Sequence, residues 1–279
     1  MNRAWTAGLA AASLGVAGAA QAQDDDWEFA EDAGQRLSVA AARYDGGSAI
    51  IAQCRDGALT LVMAGLPQAT EPVDFAATRA DGRRDVQTWA PAPGSPGAYR
   101  SANPARDIRF MRGGGAYVIR TAEGEATRFG GTFDLPTQTA NLDRVLTACG
   151  WPLSDDRDGL ALAGDISLTD PEAGPGGRRM PTRRGATSRA PRREIEPPLA
   201  AGTPPPAAEQ TVSCVIRGMH LRECRAAHPG SANDLADTVR WHEGRQVWAT
   251  GDAPASDLEG RAVYFSVSTI LIPVARLSG

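Results

Sequence analysis

Four cysteines, three histidines and a short run of carboxylates are the residues here whose types and spacing could do chemistry. Cys214 and Cys224 lie within TVSCVIRGMHLRECR, residues 211–225, directly after a proline-rich run. Two short extended stretches flank Arg217-Gly218-Met219-His220. If the hairpin is centred on Met219, the two cysteines stand opposite each other, because their numbers average to that position. Opposed residues of a non-hydrogen-bonded antiparallel pair have Cα atoms about 4.5 Å apart, within disulfide reach. Zinc would need further ligands, and His220, His228 and His242 all lie in this part of the chain, but the spacing matches no zinc pattern. A redox Cys-x-x-Cys is absent. A Cys214–Cys224 staple is therefore expected, with no metal and no cofactor. Cys54, at the end of an apolar strand, and Cys149, at the end of a helix, are expected to form a second bridge, with two buried free thiols as the alternative.

Nucleophile and phosphate signatures are missing: the chain has no G-x-S-x-G, no HExxH, no P-loop and no dinucleotide fingerprint. Gly113-Gly114-Gly115 precedes a strand and reads as a hairpin turn. The larger, amino-terminal part has no histidine, which argues against Ser-His or Cys-His chemistry there. Asp155, Asp156 and Asp158 could serve as a glycosidase pair, but beside a linker they read as a solvated loop. The three histidines read as surface or turn residues. Trp27, Trp89, Trp151, Trp241 and Trp248 read as core or domain-edge residues before sugar-binding platforms.

Compartment decides whether disulfides make sense. The chain begins MNRAWTAGLAAASLGVAGAAQAQDDDW: one early arginine, an Ala/Gly-rich apolar run, and Ala20-Gln21-Ala22 in the small-x-small pattern of a signal-peptidase site. Residues 1–22 are expected to be a cleaved signal peptide, with the mature chain starting at Gln23 in the periplasm. An uncleaved inner-membrane anchor is the alternative. No other segment is long and apolar enough to span a bilayer, so no stable span is expected after cleavage. All 29 basic residues are arginine, which with the abundant Ala, Gly and Pro points to a GC-rich genome. The seven arginines of residues 171–209 could contact anionic lipid, peptidoglycan or nucleic acid, but they read first as solvation of a linker, and an exported protein meets little nucleic acid, so no nucleic-acid partner is expected.

Stepping outward to the elements, the expected fold class is α+β, divided by a linker. Residues 171–209 have no apolar periodicity and are dominated by Pro, Gly, Ala and Arg, the composition of a disordered tether. On that expectation the flanking domains are tethered without packing together. The amino-terminal domain, 23–170, reads as mostly β, with strands at 37–44, 48–54, 58–64, 86–90, 108–112, 116–120 and 131–135 separated by Asp-Gly and Gly-Gly turns. One helix at 138–149, with Leu142, Val145, Leu146 and Cys149 on one face, closes that sheet. The carboxy-terminal domain, 210–279, reads as β-β-α-β: the cysteine hairpin, a helix at 231–242, and a long alternating strand at 263–274.

This order, after a proline-rich tether, resembles the carboxy-terminal domain of TonB-type energy transducers. The residues that carry the resemblance are V-S-C-V-I-R-G-M-H-L-R-E-C-R, the helix ending near Arg240-Trp241, and G-R-A-V-Y-F-S-V at 260–267. It covers about 65 residues, residues 210 to 275. The Tyr-Pro entry before the first strand and the membrane helix of that family are missing. The resemblance implies a non-enzymatic interaction module of the cell envelope, with a link to outer-membrane transport. In such a module an edge strand pairs with an extended peptide of an envelope protein, such as an outer-membrane transporter. By the same analogy the final strand, through Tyr264, Ser266, Ser268, Ile270 and Ile272, is the partner-binding edge. The competing function is an exported hydrolase or carbohydrate-binding protein acting on the cell wall.

Overall fold

The computed structural model describes residues 25–122, 128–163, 166–169, 179–181, 187–188, 211–249 and 255–267. The expected signal peptide, most of the expected linker and the end of the final strand lie outside the described residues.

The first lobe is built on nine strands: β1 Glu28–Asp32, β2 Leu37–Arg43, β3 Ala49–Arg55, β4 Ala58–Ala64, β5 Val73–Arg79, β6 Arg84–Pro91, β7 Tyr99–Ser101, β8 Gly115–Thr121 and β9 Gly130–Leu135. They form one antiparallel sheet in the order β1-β2-β3-β4-β7-β6-β5-β8-β9. Alternation drives it, because Ile50, Ala52 and Cys54 of β3, Leu59, Leu61 and Met63 of β4, and Phe75 and Ala77 of β5 fall on one buried face. Asp56 and Gly57, both at positive φ, make the two-residue turn that matches strand twist between β3 and β4. The sheet curls around its own core, so Tyr44, just past β2, meets Phe133 of β9 edge to face at 5.1 Å.

Two helices complete this lobe. α2, Ala140–Ala148, buries Leu142, Val145 and Leu146 in the sheet's core and stops at Gly150, which adopts φ +70°. Cys149 at its end is bonded to Cys54 of β3 across 95 residues of chain. The expected strand at 108–112 is instead part of a helix, α1, Pro104–Met111. Pro104 sits in its first turn, and the glycines at 113–115 follow it. Ile-Arg-Phe-Met-Arg imitates strand alternation because Arg106, Asp107 and Arg109 are buried alongside Ile108 and Phe110. A helix buried on all sides, charges included, has no polar face for periodicity to reveal.

The second lobe has its own core, drawn from β10 Ile166–Thr169, β13 Thr211–Arg217, β14 His220–Ala226, α3 Ala236–His242, β15 Val247–Ala249 and β16 Ala262–Val267. Two short strands, β11 Arg179–Pro181 and β12 Thr187–Ser188, come from the stretch expected to be disordered and pair with β10 and β16. The expected antiparallel trio is present in the order β16-β13-β14, with β12 added in parallel beside β16. The helix is shorter than expected: Pro229–Ser231 form a 3-10 turn, and α3 begins at Ala236.

Cys214 and Cys224 are bonded, by a route the averaging of residue numbers does not contain. Gly218 and Met219 at φ +56° and +63° form the turn, and the pairs Arg217↔His220, Ile216↔Leu221 and Val215↔Arg222 follow. That register points Cys214 at Glu223. The register then shifts, with Glu223 at φ +54°, and Ser213 faces Arg225. The bulge moves β14 by one residue and brings Cys224 opposite Cys214.

Replacing both cysteines of the Cys54–Cys149 bridge by serine is expected to cost roughly 4 to 5 kcal/mol, and the Cys214–Cys224 pair roughly 2 to 3 kcal/mol, because the longer loop frees more chain entropy on unfolding. Denaturant melts of the two double variants check the order; a larger loss from the shorter loop would contradict it.

Candidate functional site

The chemistry-bearing side chains gather where the two lobes meet. Among the described residues the lobes are in direct contact, which corrects the expectation of two domains joined by a tether alone. The contact begins with α1. Arg106 donates two bonds to the Asp85 carboxylate and one to the Leu160 carbonyl at 3.0 Å. One turn on, Arg109 grips Asp158 in bidentate fashion, Nε to Oδ2 at 2.6 Å and Nη2 to Oδ1 at 2.8 Å. Paired carboxylate and guanidinium are what allow these charges to be buried.

Asp158 belongs to a 3-10 turn, Asp156–Gly159, closed by a reciprocal cap: Asp155 accepts from the Arg157 amide at 2.9 Å, and Asp158 accepts from the Asp155 amide at 3.2 Å. The turn aims Arg157 into the second lobe. Its guanidinium, with the residue only 3% exposed, donates to the Ser213 carbonyl at 2.7 Å, to the Ser213 hydroxyl and to the Glu223 carbonyl. Burial holds Arg157 below the usual arginine range, and the neighbouring Arg225 charge acts in the same direction. Arg225 in turn pairs with Asp155 at 2.7 Å and with Asp156. The trio expected to form a solvated loop is therefore a junction in which only Asp156 is mainly exposed.

A second tie comes from His228, which caps the 3-10 turn Pro229–Ser231, in line with the turn position expected for it, but is buried and not at the surface. Its Nδ1 accepts from the Gly230 amide and its Nε2–H donates to the Cys149 carbonyl, each at 3.0 Å, while its ring meets Trp151 edge to face at 4.8 Å. Gly230 is required there, since a Cβ would stand 2.8 Å from the His228 ring. His242 is also buried, between Trp241 and Phe265, and donates from Nδ1 to the Thr238 carbonyl at 2.8 Å. Burial lowers its pKa to about 4.

Behind the ion pairs, Asp107 is fully buried and accepts from the Ser101 hydroxyl at 2.5 Å. Burial pushes its carboxyl up to about 7, against the Ser101 bond and the Arg106 charge, which both favour ionisation. A narrow cleft opens beside it, lined by Asn103, Pro104, Arg106, Trp151, Thr211 and Tyr264. Tyr264 is pushed to about 12 by burial, so its hydroxyl stays protonated.

Of the site residues expected from sequence, all four cysteines are bridged as paired above. Tyr264 lies on β16 and lines the interlobe cleft. Ser266 pairs with Thr211 on one side and Thr187 on the other. Ser268, Ile270 and Ile272 lie outside the described residues. The final strand, expected to be a sheet edge, has β13 on one side and the short β12 on the other, and β14 ends the sheet. The outer side of β14 meets Arg245 and Gly244 at Leu221, and the Cys224 amide donates to Glu243 at 2.8 Å. The outer side of β16 meets short segments, 161–163 at Ala262 and 187–188 at Ser266 and Val267. Among the described residues no group of three or more His, Cys, Asp or Glu could hold a metal ion. No described helix is long and apolar enough to cross a membrane. Two disulfides are the mark of a chain that matures in an oxidising compartment outside the cytosol. No known protein family, no curated protein and no solved structure matches this chain.

Sequence reasoning missed Asp85, Arg106, Asp107, Arg109 and Arg157. Pro104 near a helix start and the Asp155-x-x-Asp158 cap spacing were the available signals.

Arg157→Met leaves two carbonyls of the second lobe without their donor; it is expected to lower stability by about 3 kcal/mol and to split one calorimetric transition into two. A single transition with unchanged midpoint would show that Arg157 does not couple the lobes. Asp107 and His242 pull in opposite directions with pH. The unfolded Asp107 carboxyl ionises near 3.8 and the native one near 7, so its contribution to stability is lost as pH rises from about 4 to 7. Unfolded His242 protonates near 6.5 and the native ring near 4, so its contribution is lost as pH falls across that interval. Asp107→Asn should flatten the alkaline decline and His242→Phe the acidic one in melts from about pH 4 to 8; a variant whose profile parallels the parent's would exonerate that group.

Proposed function

We infer that the chain is a non-enzymatic periplasmic protein of the cell envelope, exported by its signal peptide, whose second lobe is a TonB-like interaction module. In this role an extended segment of an envelope protein adds to the sheet at β16, giving backbone pairing for affinity and side-chain alternation for selectivity. An outer-membrane transporter is the partner class the resemblance implies. Energy transduction is not part of the proposal.

The observation that carries this reading is that the outer side of β16 is covered by two short segments of its own chain, 161–163 at Ala262 and 187–188 at Ser266 and Val267, a pairing that an incoming strand would take over. β14, at the end of the sheet, is met in the same way by residues 243–245. The engaged carboxylates lend support. Asp155 and Asp158, the pair that hydrolysis would need, are held by Arg225 and Arg109.

A photo-crosslinking residue at position 266, 268, 270 or 272, introduced one at a time in the native host, is expected to trap an envelope protein, while position 71 in the first lobe traps none. Adducts absent from all four strand positions would sink the proposal. Co-sedimentation of the full chain with purified cell-wall sacculi would favour the wall-acting alternative instead.

A further inference from the structure

β12 is a two-residue strand, and it lies on the flank of β16 that an incoming segment would use. Its pairs are Thr187↔Ser266 and Ser188↔Val267, parallel to β16. In the order β12-β16-β13-β14 it is the terminal strand, so among the described residues it pairs with β16 and with no other strand. The rest of that flank is closed more firmly. Ala163 donates its amide to the Ala262 carbonyl and Ala262 donates its amide to the Ala161 carbonyl, each at 2.9 Å, and Arg261 donates to the Leu162 carbonyl at 3.1 Å. Residues 161–163 also run between two fixed points, the clamped Arg157 and Ile166 in the second core.

Parallel pairing is slightly less stable per residue than antiparallel pairing, and two residues contribute little of it. The chain itself is what brings so short a strand to β16. β11 pairs with β10 through three residues, and only five residues, 182–186, separate it from β12. A stretch of that length spans at most roughly 20 Å, which keeps β12 beside β16 at an effective concentration on the order of millimolar.

We propose that β12 is an autoinhibitory strand, a built-in competitor that occupies β16 at Ser266 and Val267 and must leave before a partner's extended segment can pair there. The proposal rests on the reading of β16 as the pairing edge. Of the two segments on that flank β12 yields first, so an incoming strand starts pairing at Ser266 and Val267 and reaches Ala262 last. A site free about a tenth of the time binds its ligand about tenfold more weakly. A longer incoming segment recovers that loss through additional backbone pairs, whereas one that offers no more pairs than β12 is turned away.

Thr187→Pro together with Ser188→Pro in the full chain removes both backbone N–H groups of β12, including whichever faces β16. The probe is a synthetic peptide of residues 183–192, added in trans and followed by nuclear magnetic resonance titration. It is expected to bind the double variant with roughly millimolar affinity and the parent about tenfold more weakly, because the parent's own strand competes. The same peptide carrying both prolines binds neither chain. Amide exchange at residues 266–267 is expected to rise about tenfold in the double variant while β13 and β14 keep the parent's rates, which also shows that the variant is folded. Equal binding of the probe to variant and parent, or unchanged exchange at 266–267, would overturn the proposal. In the native host a photo-crosslinking residue at position 270 is expected to trap its envelope protein in higher yield from the double variant. Adducts missing from both chains while the probe discriminates between them would count against the envelope partner and leave β12 as the occupant of the edge.

Discussion

Burying the Arg157 guanidinium costs several kcal/mol of hydration, and that cost is offset only if its donors are met. Ser213 and Glu223 supply the acceptors, and they stand on β13 and β14 of the far lobe. The 3-10 turn that carries Arg157 is itself closed by Asp155 and Asp158, and Asp158 is held by Arg109 of α1. Moving any one of these shifts the others. The lobes therefore share one hydrogen-bonded seam, in which an arginine without a carboxylate partner of its own is the central piece.

The seam accounts for an otherwise odd helix. α1 is buried on every side, and its charges would be intolerable without Asp85 and Asp158. With them, its charged positions reach across the junction while Ile108, Phe110 and Met111 enter the first core. Burial drives Asp107, which has no cation bonded to it among the described residues, toward the neutral form. The disulfides work away from the seam but brace its two sides. Cys149 ends the helix whose last carbonyl His228 reads, and Cys224 lies one residue from the carbonyl that Arg157 reads.

In the second lobe short segments meet both flanks of the small sheet, 243–245 beside β14 and 161–163 and 187–188 beside β16, and the proposed added strand would replace the latter.

Two bridges, a mostly-β first lobe with α2, and a hairpin–helix–strand second lobe were all legible in the chain, because they rest on local signals: an even cysteine count, period-two alternation and glycine turns. Where a residue's state depended on distant partners, local reading failed. Residues 108–112 alternate like a strand, yet only Asp85 and Asp158, distant in sequence, permit the buried helix they adopt. Asp155, Asp156 and Asp158 look solvated until Arg109 and Arg225 arrive from both sides. The pairing of Cys214 with Cys224 was foreseen, but its register was set by a bulge at Glu223 that no averaging of positions contains. Composition and period determined which segments form strands and helices, since those depend on neighbours along the chain; tertiary structure alone decided which charges are buried, because a buried charge is tolerable only beside a partner that folding brings to it.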